Sequence, residues 1–265
     1  MVNLLTQRAP LVAARGNILC YIRSLLGSSL TAYPIAKPKT IFLHIPKTAG
    51  TSLMHLVAGQ YPIGRCLFIY SHQPEVLASS RRLVENVEAI FGHFSYGIHE
   101  LLDVDAKYVT FLRNPIDRVI SYFNHQARDR HSEFYDDILR GLTLLDLLES
   151  RRCHQVQNHM CQIISGFGAD SSLHERSLLD AARHNLATDF AYVGITEFSE
   201  RSALEMSRNL GFKRDEQLKK FGVAQAPRLK ASTVDVKTLQ AIRDSNALDI
   251  ELHAQHTSRI ISNAQ

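Results

Sequence analysis

The sequence predicts an α/β fold: a mainly parallel sheet flanked by helices, with additional helices in the middle and C-terminal parts. Short apolar, β-branched runs alternate with longer stretches of helical periodicity. A chain of 265 residues that is 45% hydrophobic and 21% charged can bury a sizeable core. Chemically notable residues recur where the strands end, which is where ligands bind in such sheets.

The first strand is read in Thr40-Ile41-Phe42-Leu43-His44-Ile45, ended by Pro46. A turn, Lys47-Thr48-Ala49-Gly50, leads into a helical pattern through Leu53, Leu56 and Val57. Further strands are expected at Cys66 to Ile69, at Val87 to Phe91 before Gly92-His93, and at Tyr108 to Leu112 before Arg113. Asn114 then makes a good N-cap and Pro115 a good first helical residue, with Asp117 complementing the dipole. Ile116, Val119, Ile120 and Phe123 form that helix's apolar face. Helical periodicity returns over Phe134 to Leu148, Val156 to Ile164 and Leu173 to Leu186. A strand at Ala191 to Ile195 precedes a helix through Leu204 and Leu210, and the chain is helical again from Val234. Residues 1–38 are expected to form a helical N-terminal extension, and residues 39–265 a single domain.

The formal charge of +4 and pI of about 8.9 are compatible with an anionic ligand. A dense basic stripe of the kind that marks a nucleic-acid binder is missing, so no nucleic-acid partner is expected. Cys20, Cys66, Cys153 and Cys161 show neither CxxC pairing nor metal-ligand spacing. Cys153 and Cys161 would stand roughly 12 Å apart on one helix, too far for a disulfide. Reduced thiols and a cytoplasmic compartment are therefore expected. A lumenal Golgi or membrane-associated location is the alternative if an upstream anchor was removed. Leu11 to Leu30 is interrupted by Arg15, Asn17 and Arg23, so it reads as an amphipathic helix, packed on the domain or a membrane surface, rather than a span.

Strand, PKTAGTS, helix is the layout of an anion cradle. Backbone N–H groups at a helix start carry partial positive charge. Gly50 permits close backbone approach; Thr48, Thr51 and Ser52 add hydroxyls; Lys47 adds a full charge. The lysine precedes the small residues, unlike GxxxxGK[ST], which disfavours a metal-dependent kinase. Arg113 can fork onto a phosphate with paired, charge-assisted hydrogen bonds.

HIPKTAGTS at residues 44–52 resembles the 5'-phosphosulfate-binding motif of the carbohydrate sulfotransferases, the group that includes heparan sulfate 2-O- and 6-O-sulfotransferases. FLRNPIDRVISYF at residues 111–123 resembles their second signature, which holds the donor's 3'-phosphate, and AYVGITEFSE at 191–200 is similar to another family segment. The resemblance implies a P-loop-like fold. It also implies 3'-phosphoadenosine 5'-phosphosulfate (PAPS) as donor and 3'-phosphoadenosine 5'-phosphate (PAP) as product, with no metal required. Lys47, Thr48, Ala49, Gly50, Thr51 and Ser52 would hold the phosphosulfate, and Arg113 and Ser121 the 3'-phosphate. In similar enzymes a basic loop closes over the donor; Arg228 and Lys230 are the candidates here.

Sulfuryl transfer needs a base for the acceptor hydroxyl and a cation for the leaving group. Lys47 is the expected leaving-group cation. His93 is the expected base and matches the position of a catalytic histidine in the 2-O-sulfotransferases. This chain has Phe91 where those enzymes carry a second histidine. His44 is the rival. Asn124, His125, Arg128 and Arg130 are candidates for binding a carbohydrate acceptor. The alternatives are a small-alcohol or lipid acceptor, a P-loop kinase, or a nucleotide-binding scaffold without activity.

Overall fold

The computed structural model describes residues 38–62, 64–70, 80, 83–167, 175–212 and 229–262. Most of the expected N-terminal extension (residues 1–37), Cys20 and Arg228 lie outside the described residues.

Five strands form one sheet: β1 (Lys39–Leu43), β2 (Cys66–Ile69), β3 (Ala89–Gly92), β4 (Ala106–Leu112) and β5 (Phe190–Ile195). They run in the order β2-β3-β1-β4-β5, and every pair is parallel. The helices in chain order are α1 (Gly50–Gln60), α2 (Ile98–Leu102), α3 (Pro115–Gln126), α4 (Tyr135–Leu139), α5 (Leu144–Glu149), α6 (His159–Ser165), α7 (Glu175–Thr188), α8 (Ser199–Asn209), α9 (Val236–Ser245) and α10 (Ala247–Ser262).

Strand alternation sends successive side chains to opposite layers. Ile41, Leu43, Ile90, Tyr108 and Leu112 pack with Met160, Ile164, Leu179 and Leu252 of α6, α7 and α10. Phe42, Phe91, Val109 and Phe111 pack on the other face with Leu53, Leu56 and Val57 of α1 and Met206 of α8. A third cluster joins α3, α5 and α9 through Val119, Leu147, Leu148 and Ile242. Both faces are covered, which is why the strands read as near-continuous apolar runs.

Two helical expectations are corrected. Phe134 to Leu148 splits into α4 and α5, because Gly141 turns left-handed (φ 105°) and Thr143 caps a new start. Val156 to Ile164 is likewise broken: a 3₁₀ turn, His154–Val156, ends before α6, and Asn158 between them is left-handed (φ 43°). Asn158 is held there by α10. Its Oδ1 accepts the N–H groups of Leu248 (3.0 Å) and Asp249 (3.2 Å), while the buried Asp249 carboxylate accepts those of Met160 (3.0 Å) and Cys161 (2.8 Å). Each helix caps the other.

Arg118 of α3 is fully buried close enough to Asp249 for the two charges to attract, and its Nη2 donates to the Gln155 carbonyl at 2.6 Å. Burial opposes both charges; each is partly relieved by the other. Cys66, Cys153 and Cys161 are buried and form no disulfide among the described residues.

Gly92 ends β3 where a Cβ would lie 1.8 Å from the Ile69 carbonyl oxygen, a backbone atom that cannot step aside. Gly92→Ala should therefore destabilise the fold by about 3 kcal/mol, read as a lower urea midpoint with unchanged slope. Burial, and then the nearby Arg118 and His154, push the His159 imidazole well below its usual range; burial also lowers His256. Below about pH 6.5 the unfolded chain takes up protons that these native rings refuse. Stability should accordingly fall from about pH 6.5 toward pH 5, measured as urea midpoints across that window.

Candidate active site

Strand order places three chemical groups side by side. Lys47 follows β1, His93 follows β3 and Arg113 follows β4, and these strands are neighbours in the sheet. From β1 the chain passes to β2 on one side, and from β4 to β5 on the other. The crevice between β1 and β4 is thus a switch point, the general ligand position of open parallel sheets. Buried Thr110 bonds the two strands just before their loops, donating to the Leu43 carbonyl at 2.8 Å. Beyond it, Nη1 of Arg113 donates to the Lys47 carbonyl at 3.0 Å. The two motifs meet at the ends of adjacent strands.

The loop after β1 is strained. Lys47 (φ 72°) and Ala49 (φ 64°) are both left-handed without being glycine. α1 starts with no side-chain cap, and its opening N–H groups lie at the loop. Thr51 is exposed at this end and Ser52 is buried. Thr48 is buried, and its hydroxyl donates to the Ile45 carbonyl at 2.8 Å, which braces the turn. Gly50 is also required by its neighbour. A Cβ there would stand 1.6 Å from Nε2 of His44, so the glycine makes room for an imidazole.

That imidazole faces the expected base. Nδ1 of His44 lies 2.9 Å from Nε2 of His93, with ring centroids 4.6 Å apart. Tyr70, at the end of β2, meets His93 edge-on at 4.8 Å, and its hydroxyl donates to the Met54 sulfur at 3.6 Å. Phe91 packs behind His44 at 5.5 Å. Burial holds His44 well below the usual histidine range, with His93 and Lys47 adding to the effect. Sequence reasoning weighed His44 as a rival to His93; the structure makes the two hydrogen-bonded partners. The signal available was their position at the ends of adjacent strands.

Asn114 caps α3 as expected, accepting from the N–H groups of Ile116 (3.0 Å) and Asp117 (3.3 Å). Its own N–H donates to Glu197 at 2.8 Å, and Thr196 donates to the Leu112 carbonyl at 2.9 Å. The Thr196-Glu197 segment therefore clamps the turn that carries Arg113, a role no local sequence signal announced. Ser121 is half-buried on α3, two turns along from Arg113. Asn124 is committed elsewhere: it donates to the Leu229 carbonyl (2.8 Å) and accepts its N–H (3.0 Å), so it anchors this segment instead of awaiting an acceptor. Lys230, next in the chain, is exposed, and its N–H donates to Thr233. His125 is half-buried, and burial, then the charge of Lys47, lowers its pKa.

No three His, Cys, Asp or Glu side chains among the described residues gather as a metal site. No helix among them is long and apolar enough to cross a membrane.

No curated protein matches the sequence. Among solved structures, the chain is similar to mouse sulfotransferase SULT7A1 complexed with PAP, at 16% identity and a TM-score of 0.42, over 69% of this chain. The match spans 62% of that protein's chain. The family model described as "Sulfotransferase family" matches residues 36–254, which take in the Lys47 loop, His93, the Arg113 turn and the Thr196-Glu197 clamp. The chain belongs to the sulfotransferase family.

Proposed function

We propose that the chain transfers a sulfuryl group from PAPS to a hydroxyl of a carbohydrate acceptor by in-line displacement, without a metal. The acceptor oxygen attacks sulfur, the bond from sulfur to the bridging phosphate oxygen breaks, and PAP departs. His93 takes the acceptor's proton, and Lys47 stabilises the charge that grows on the leaving phosphate. The observation that carries this reading is the Arg113–Lys47 contact, which joins the two signatures in one crevice. The uncapped start of α1, with Ala49, Gly50, Thr51 and Ser52, suits the 5'-phosphosulfate. Arg113 and Ser121 suit the 3'-phosphate. Thr48 contributes by shaping the loop. Lys230, and Arg228 outside the described residues, remain candidates for closing over the donor.

The alternative acceptor, a small alcohol or lipid, draws support from an apolar groove of about 690 Å³ lined by Phe123, Ile138, Leu142, Leu229 and Val234. The groove borders α3 but includes none of the donor-site candidates.

Calorimetry should show PAP binding far more tightly than AMP, and Arg113→Ala should lose most of that preference; equal affinity for the two nucleotides would refute the donor assignment. With PAPS and a panel of glycans and small alcohols, Lys47→Ala and His93→Ala should each lower turnover by about 10²–10³-fold, and EDTA should leave it unchanged. A His93→Ala enzyme with full turnover would remove His93 from the mechanism.

A further inference from the structure

We infer that Glu197 and His253 are positioning residues for the donor's 3'-phosphate: His253 of α10 donates to Glu197, whose other oxygen holds the Asn114 N–H and with it the backbone that carries Arg113. This rests on the reading of Arg113 as the 3'-phosphate ligand.

The peptide unit between Arg113 and Asn114 is planar, so the Asn114 N–H and the Arg113 Cα turn together. Glu197 accepts that N–H through Oε1 at 2.8 Å. Asn114 is held at two further points. Its Oδ1 accepts the N–H groups of Ile116 and Asp117, and its carbonyl accepts that of Arg118 at 2.9 Å. Those bonds tie the cap to its own helix. The bond to Glu197 ties it to the segment leaving β5, which Thr196 fastens to β4 through the Leu112 carbonyl at 2.9 Å.

The second oxygen of the same carboxylate meets α10. Nε2 of His253 lies 3.1 Å from Oε2 of Glu197. An ionised carboxylate only accepts, so Nε2 of His253 carries the hydrogen and donates. Burial opposes the Glu197 charge, but the bonds from His253 and Asn114 outweigh it and hold the carboxyl below its usual range. The His253 side chain is 12% exposed against 32% for Glu197, so the imidazole is the more enclosed partner. Thr257, one turn on, stands 3.5 Å from the same nitrogen, the longer contact.

One turn earlier on α10, Asp249 attracts the buried Arg118 of α3. Asn114 and Arg118 are four residues apart, as are Asp249 and His253, so each pair lies along one helix face. α10 thus meets the Arg113 end of α3 at two polar rungs, the second relayed by Glu197. Losing Glu197 or His253 lets the 113–114 peptide rotate, which misaims a planar guanidinium more than it would a point charge. The cost falls on the 3'-phosphate, which PAP has and AMP lacks, rather than on the adenosine and 5'-phosphate that the two share.

Calorimetry of PAP and AMP binding to the full chain tests this. Glu197→Ala and His253→Phe should each weaken PAP binding by about tenfold while AMP affinity moves by less than about twofold. Glu197→Gln keeps an oxygen for the Asn114 N–H, and His253→Gln keeps an N–H where Nε2 stood. Both should restore most of the preference. A PAP-to-AMP ratio that stays native in Glu197→Ala or His253→Phe would overturn the inference, and so would an equal loss for both nucleotides, the mark of general damage. Urea midpoints show whether each variant folds; should Glu197→Ala fail to, His253→Phe and its Gln counterpart decide. Equal affinity of the native protein for PAP and AMP sinks the reading of Arg113 instead, whereas a native preference that the variants leave untouched sinks only the brace.

Discussion

The hydrogen bond from Arg113 to the Lys47 carbonyl is the contact on which the candidate site depends. It ties residues 66 positions apart in sequence, and it exists because β1 and β4 are neighbouring parallel strands that end together. A guanidinium that holds a loop carbonyl with one arm is also oriented for whatever the other N–H groups meet. The left-handed residues at 47 and 49 make sense beside it. Their strain persists because β1, α1 and the Arg113 turn fix the loop from three directions.

Around that contact the structure uses polar groups that resemble ligand donors to hold backbone. Thr48 closes the turn beneath Lys47, Asn124 pins the segment at Leu229, and Glu197 grips the Asn114 amide. These residues help set the site's shape. Distinguishing such a group from one that awaits a ligand needs its partner's position, and sequence spacing does not give it.

Much of the sheet was legible from sequence. Five apolar runs were read as strands, and all five are strands within a few residues of the expected bounds, because both faces are covered and the side chains are largely apolar. The α3 cap was legible for a local reason, Asn114-Pro115. Helix breaks at Gly141 and Asn158 were missed because periodicity persists across them while the backbone does not. That Lys47 follows β1 and Arg113 follows β4 was legible from the apolar runs that end before them. The His44–His93 bond was hidden because adjacency of β1 and β3 is a property of strand order, which no single segment encodes.

The reciprocal cap between Asn158 and Asp249 bears on how the chain is made. Those partners are 91 residues apart, so α6 cannot be completed until α10 has been synthesised and has cleared the ribosome. Until then its first amides, and the buried arginine beside them, lack their carboxylate. Early-emerging strands can pair ahead of this, but closure of this region waits on α10. Truncation within α10 would thus damage α6, about 90 residues earlier in the chain.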